Sequence, residues 1–126
     1  MARSPLDRLK DIQEAVTDLR DITAELDAGA FHSMPKVNRM AFRACKNALT
    51  ELGEAVKALS ADITTRHPEV DWKGLAGLRD IVTHRYFDLD QSILYQIVCD
   101  DLPPLLAAVE ELIRQIEDGP ASPQIP

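Results

Sequence analysis

From Leu6 onward, apolar side chains recur at Leu9, Ile12, Val16, Leu19, Ile22 and Leu26. Spacings of three and four residues lay one stripe along a helix, so this segment must bury one face and cannot run as a strand. The same period returns at Val37, Met40, Ala41, Ala44, Ala48, Leu52, Ala55, Val56, Leu59 and Ile63, and again at Trp72, Leu75, Leu78, Ile81 and Val82. A last stripe runs Ile93, Leu94, Ile97, Val98, then Leu105, Leu106, Val109, Leu112, Ile113 and Ile116. No strand pattern or internal repeat interrupts these. Four amphipathic helices with short connections bury their stripes most simply against one another, which predicts an all-α fold, an up-down four-helix bundle with a kinked last helix.

The punctuation sets the expected boundaries. Ser4 before Pro5 starts the first helix and Gly29 stops it, giving about 5–28. GAFHSMPK breaks the period and reads as a connection. THPEVD, with Pro68, ends a long second helix and offers Asp71 as a cap for a third, which runs to about residue 83. Asp90 is expected to cap the fourth. Pro103 and Pro104 remove two amide donors, so that helix must kink or restart, with Asp100 or Asp101 as a new cap. The expected domain is 1–119, with 120–126 as a loose tail.

Of the 126 residues, 45% are apolar and 28% charged, the balance of a globular chain and not of a disordered or membrane-embedded one. With no apolar run of spanning length and no signal-peptide block, the chain is expected in the cytoplasm. Cys45 and Cys99 lack the spacing of a metal site or redox pair, and both are expected as buried, reduced thiols. No metal site or cofactor is expected.

The net charge of −7 argues against a general nucleic-acid coat. It is unevenly spread: residues 1–35 carry four basic and seven acidic side chains (−3), residues 36–85 nine and six (+3), residues 86–126 one and eight (−7). The basic segment contains LRDIVTHRYFDLD, which places Arg79, His84 and Tyr86 within eight positions.

Histidine titrates near neutral pH and arginine offers a planar permanent charge, so together they serve proton transfer and anion stabilisation, the two needs of phosphodiester chemistry. A helix turns about 100° per residue, so positions five apart diverge by about 140°. Either the helix ends before His84 and the imidazole turns back toward Arg79, or residues from two subunits meet across a twofold axis near the third helix. The plainer alternatives are a capping or surface histidine, an Arg79–Asp80 ion pair, and a Tyr86 ring packed with its hydroxyl at the surface.

The run WKGLAGLRDIVTHRYFDLD resembles the Arg-x-x-x-x-His-x-Tyr signature of HepT-like toxins, a branch of the HEPN superfamily. NALTELGEAVKALS resembles the family's second-helix segment with its Gly-Glu-Ala, and QIVCDDLPPLL its proline-containing last helix, so the likeness covers roughly residues 6–117. The resemblance implies a HEPN-like bundle that dimerises, a metal-independent ribonuclease in the cleft between subunits, and an MNT nucleotidyltransferase antitoxin that transfers AMP onto the motif tyrosine. Arg79 and His84 match the catalytic pair and Tyr86 the modified residue. Asp80 stands where many HEPN motifs carry Asn; a carboxylate there favours protonated His84 and repels phosphate, or pairs with Arg79 or Arg85.

Glu54 matches the Gly-Glu-Ala glutamate and either orients Arg79 through a charge-assisted hydrogen bond or is merely solvated. Arg85, Lys73, Arg43 and Lys46 are candidate contacts to an RNA backbone. Trp72 is expected in the core or a dimer interface, and His32 and His67 are assigned no role. The competing reading is a non-catalytic HEPN module that dimerises and binds a nucleotidyltransferase partner or a nucleotide.

Overall fold

The first helix, α1 (Pro5–Thr23), starts at a capping box: the Ser4 side chain accepts from the Asp7 amide while the Asp7 carboxylate accepts from the Ser4 amide. The structure, a computed structural model, describes residues 3–24, 26–84 and 91–118, with the side chains of Ala28, His84, Gln91, Ser92 and Ile93 outside that description. Leu9, Ile12, Val16 and Leu19 are buried along one face of α1, as the stripe predicts. The helix ends at Thr23, short of the expected residue 28.

GAFHSMPK is not a connection. It belongs to α2 (Ala28–Val37), capped by Asp27, whose side chain accepts from the Ala30 amide. Phe31 and Met34, one turn apart, are both buried. Their burial and the cap outweigh the breaker residues. Pro35 is tolerated near the end of the helix, where few backbone bonds remain to be lost.

Asn38 then breaks the chain direction and caps α3 (Arg39–Lys57) by accepting from the Ala41 amide. That break displaces the apolar phase, so Val37 and Met40, expected on the buried stripe, are 80% and 75% exposed. Ala44, also expected on the stripe, is exposed; from Ala48 the stripe holds, with Ala48, Leu52, Ala55 and Val56 buried beside Leu49. The long second helix does not continue to Ile63. Ser60 adopts an extended backbone and a short helix, α4 (Ala61–Thr64), follows, with Ile63 still reaching the core.

The third predicted helix is two, α5 (Trp72–Ala76) and α6 (Leu78–His84), separated at Gly77. Asp71 caps α5 as expected, accepting from the Gly74 amide. Trp72 lies at the core's edge, its indole N–H donating to the His67 carbonyl at 2.8 Å. The cap expected at Asp90 lies outside the described residues, as does the tail from Gly119.

The last stripe occupies α7 (Gln91–Gln96), a π-helical turn (Ile97–Asp101) and α8 (Leu102–Asp118). The Leu102 amide donates to the Ile97 carbonyl, one residue further than in an α-helix, and this widened turn directly precedes Pro103 and Pro104. The prolines therefore sit in the first turn of α8, where missing amide donors cost little. Asp100 and Asp101 are part of the π-turn and do not cap a restarted helix.

Among the described residues the fold is all-α, without strands. α1 packs on α3 and α8, α3 also carries α5 and α6, and α2 bridges α3 and α7. Leu9, Ile12, Leu19, Leu49, Leu52, Leu78, Leu94, Leu102, Leu105 and Leu112 fill the centre. Each contributes about 1.5–3 kcal/mol relative to exposure; Leu49 and Leu52 of α3 and Leu78 of α6 are among them.

Candidate active site

Arg79 is the second residue of α6, a helix anchored on α3 by buried Leu78 and Val82 one turn apart. That anchoring turns Arg79, Asp80 and Thr83 to solvent. The approach of the two helices is set by Gly53: a Cβ placed there would stand 2.8 Å from the Arg79 backbone nitrogen, 3.4 Å from the Leu75 carbonyl oxygen and 3.4 Å from the Leu78 Cβ. A glycine is needed because backbone, not a yielding side chain, occupies the space.

The next residue of α3, Glu54, brings its Oε2 to 3.8 Å from Arg79 Nε. This is an ion pair but longer than a hydrogen bond, so the closer of the two expectations for Glu54 is met only as electrostatic contact. The side chains are 55% and 52% exposed, and water screens the pair to less than about 1 kcal/mol. Arg79 pairs with Glu54 and not with Asp80; Arg85, the other cation considered for Asp80, lies outside the described residues.

These groups border a cleft of about 240 Å³ lined by Arg8, Gly53, Glu54, Lys57, Ala58, Ala76, Arg79 and Asp80. Gly53, Ala58 and Ala76 supply small side chains, while Arg8, Lys57 and Arg79 supply charge. Sequence reading missed Arg8 and Lys57. Lys57 was within reach of it, one turn beyond Glu54 on the same helix; nothing in the pattern of α1 singles out Arg8.

α6 remains helical through His84. The helix therefore does not end before His84, as one of the two routes to convergence expected, and its backbone carries position 84 about 140° around the axis from position 79. The His84 side chain, Arg85 and Tyr86 lie outside the described residues.

Of the other expected contacts, Lys73 is exposed on α5 and Arg43 is exposed three turns before Glu54 on nearly the same face of α3. Lys46 sits 4.8 Å from the Phe42 ring centroid, a cation–π contact that engages its ammonium. His67 is buried with its Nδ1 3.0 Å from Glu69 Oε2, away from the cleft residues, and His32 is exposed.

Among the described residues no three His, Cys, Asp or Glu side chains gather as metal ligands, and no helix is long and apolar enough to cross a membrane.

The family model described as "Ribonuclease HepT-like" matches residues 12–112, spanning both Gly53–Glu54 and Arg79–His84. A "Probable ribonuclease HepT" of Thermococcus cleftensis is 35% identical over 112 residues, 89% of this chain and 98% of that protein. Two proteins of Methanocaldococcus jannaschii, provisionally named RNases, are 36% identical over 109 residues (86% of this chain, 87% of the relative) and 35% identical over 102 (81% and 90%). No solved structure matches significantly. A family match over four-fifths of the chain, with relatives of this identity aligned nearly end to end, leaves one assignment: the chain belongs to the HepT-like ribonuclease family.

Proposed function

We propose that the protein is an endoribonuclease that needs no metal, with Arg79 and His84 as its catalytic pair, and that it is the toxin of a HepT/MNT toxin–antitoxin system in the cytoplasm. The observation that carries this reading is the seating of Arg79 at the mouth of a cation-bearing cleft, fixed by Gly53 and faced by Glu54. Family membership supports it.

In the proposed reaction His84 takes the proton from a ribose 2′-hydroxyl, whose oxygen attacks the adjacent phosphorus. Arg79 stabilises charge on the phosphorane oxygens. The bond to the 5′-oxygen breaks and that oxygen accepts a proton, leaving a 2′,3′-cyclic phosphate and a 5′-hydroxyl. Because helical backbone separates positions 79 and 84, a homodimer that brings Arg79 of one subunit near His84 of another is the assembly this chemistry requires. AMP transferred to Tyr86 by an MNT nucleotidyltransferase partner would add bulk and negative charge two residues from His84 and repel the RNA phosphate.

One observation favours a second reading. Asp80 lines the same cleft, and its carboxylate opposes an incoming phosphate. This suits a non-catalytic module that dimerises and binds the nucleotidyltransferase.

Incubation of the purified protein with RNA in EDTA separates the two. Cleavage leaving cyclic phosphate ends, lost in both Arg79→Ala and His84→Ala, is the expected result. Equal cleavage by the variants would come from a contaminating nuclease, and that result, or no cleavage by the parent, favours the binding module.

A further inference from the structure

Three cations border the cleft, and the proposed chemistry uses one of them. Arg79 faces Glu54, whereas neither Arg8 nor Lys57 forms an ion pair among the described residues. They approach from different elements, Arg8 from the second turn of α1 and Lys57 from the last turn of α3. Between them the floor is Gly53, Ala58 and Ala76, so nothing bulky fills the space their charges address.

The surroundings give this space a direction. On the other side of Arg8 lies a second depression, of about 210 Å³, lined by Arg8, Asp11, Glu14, Glu51, Glu54 and Ala55. Asp11 there is paired with Arg3 and Glu54 with Arg79, which leaves Glu14 and Glu51, without ion pairs among the described residues, to repel a polyanion. A phosphodiester strand leaving Arg79 therefore meets Glu14 and Glu51 if it follows α3 back, and two cations, Arg8 and Lys57, against the one carboxylate of Asp80 if it follows the cleft toward Lys57.

We propose that Arg8 and Lys57 form a subsite for the RNA backbone phosphate next to the one held by Arg79, so that the strand crosses the α1–α3–α6 junction at the C-terminal end of α3. Both are binding residues, with no part in proton transfer. The cleft, of about 240 Å³, has room for a phosphate and its sugar. This rests on the reading of the protein as an RNA-cleaving enzyme, but it concerns binding and can be tested apart from cleavage.

The experiment uses the full chain carrying His84→Ala, which holds RNA without turning it over. The affinity for a short fluorescently labelled single-stranded RNA is measured by anisotropy across a salt series. Each phosphate contact to a single strand contributes about 0.7 to the slope of log affinity against log salt. Adding Arg8→Gln and Lys57→Gln removes one phosphate contact and is expected to flatten that slope by about 0.7, whereas Arg8→Lys with Lys57→Arg retains it and Arg114→Gln, on α8, leaves it unchanged. Retained slope in the charge-conserving pair excludes a folding defect as the cause. A slope unaltered by the glutamine pair, or no RNA binding by the parent, overturns the subsite. So does an unaltered slope with lost ATP binding, which assigns the cleft to a free nucleotide. With His84 restored, the glutamine pair raises KM for RNA and leaves kcat nearly unchanged. A protein that binds RNA with the expected slopes but never cleaves it refutes the nuclease reading and leaves the subsite standing.

Discussion

Gly53 and Arg79 touch backbone to backbone: a methyl group at position 53 would reach to within 2.8 Å of the Arg79 nitrogen. The Gly-Glu-Ala sequence on α3 thus has a physical content. Its glycine admits α6, and its glutamate faces the arginine that α6 carries.

Gly53→Ala is expected to destabilise the fold. Alanine gains up to about 1 kcal/mol of helix propensity over glycine. Against this stands an overpacking cost of about 1–3 kcal/mol, taken at the high end because the obstructing atoms are main chain on both sides. Urea denaturation should show a lower midpoint with an unchanged slope. RNA cleavage should fall further than stability alone accounts for, because α6 is pushed off α3 and Arg79 with it. A variant as stable as the parent would mean that the helices part at no cost.

Glu54→Gln separates positioning from stability. The pair is half exposed on both sides, so stability should change by less than about 1 kcal/mol in either direction. If the carboxylate restrains the guanidinium, kcat for RNA falls while KM stays close to the parent value. An unchanged kcat would reduce Glu54 to a solvated helix residue.

Much of this arrangement is legible from periodicity. The buried faces of α1, of the central part of α3 and of α8 follow the three-and-four pattern, because leucine stripes must be covered whatever their neighbours do. Misreadings cluster where a local signal competes with a tertiary one. Gly29, Ser33 and Pro35 argue for a loop, but burial of Phe31 and Met34 and the Asp27 cap hold a helix there. Asp100 and Asp101 resemble caps, but they lie within the one wide turn that precedes Pro103 and Pro104. The site divides similarly: Arg79 and Glu54 follow from the motif, while Arg8 enters the cleft only because α1 packs on α3, a relationship no spacing within α1 encodes.

The two cysteines, expected to be alike, should react differently. Cys45 is buried on α3, and burial pushes its thiol up to about 11, so it is scarcely ionised at neutral pH. Cys99 is exposed on the π-turn, one helical turn from Tyr95, whose ring meets Phe31 edge-on. A thiol reagent at neutral pH should label Cys99 rapidly and Cys45 only on denaturation, read as one mass increment followed by a second. Equal rates for both under native conditions would contradict the burial of Cys45.

Asp101 provides the clearest pH dependence. Partial burial on the π-turn, and then the nearby charges of Asp71 and Asp100, hold its carboxyl above the usual carboxylate value. Because the folded state has the higher pKa, it takes up a proton before the unfolded chain does. The ionised side chain therefore opposes folding at neutral pH, and the penalty is relieved as pH falls through the folded pKa. Below the ordinary value of 3.8 both states are protonated and the difference closes. Asp101→Asn should accordingly raise Tm at pH 7, by a modest amount because the group is partly in water, and the gain should shrink toward zero on acidification. A thermal-melt series from neutral to acid pH reads both features. A variant that melts below the parent at pH 7 would mean that the carboxylate makes a favourable contact outweighing its desolvation and the repulsion from Asp71 and Asp100.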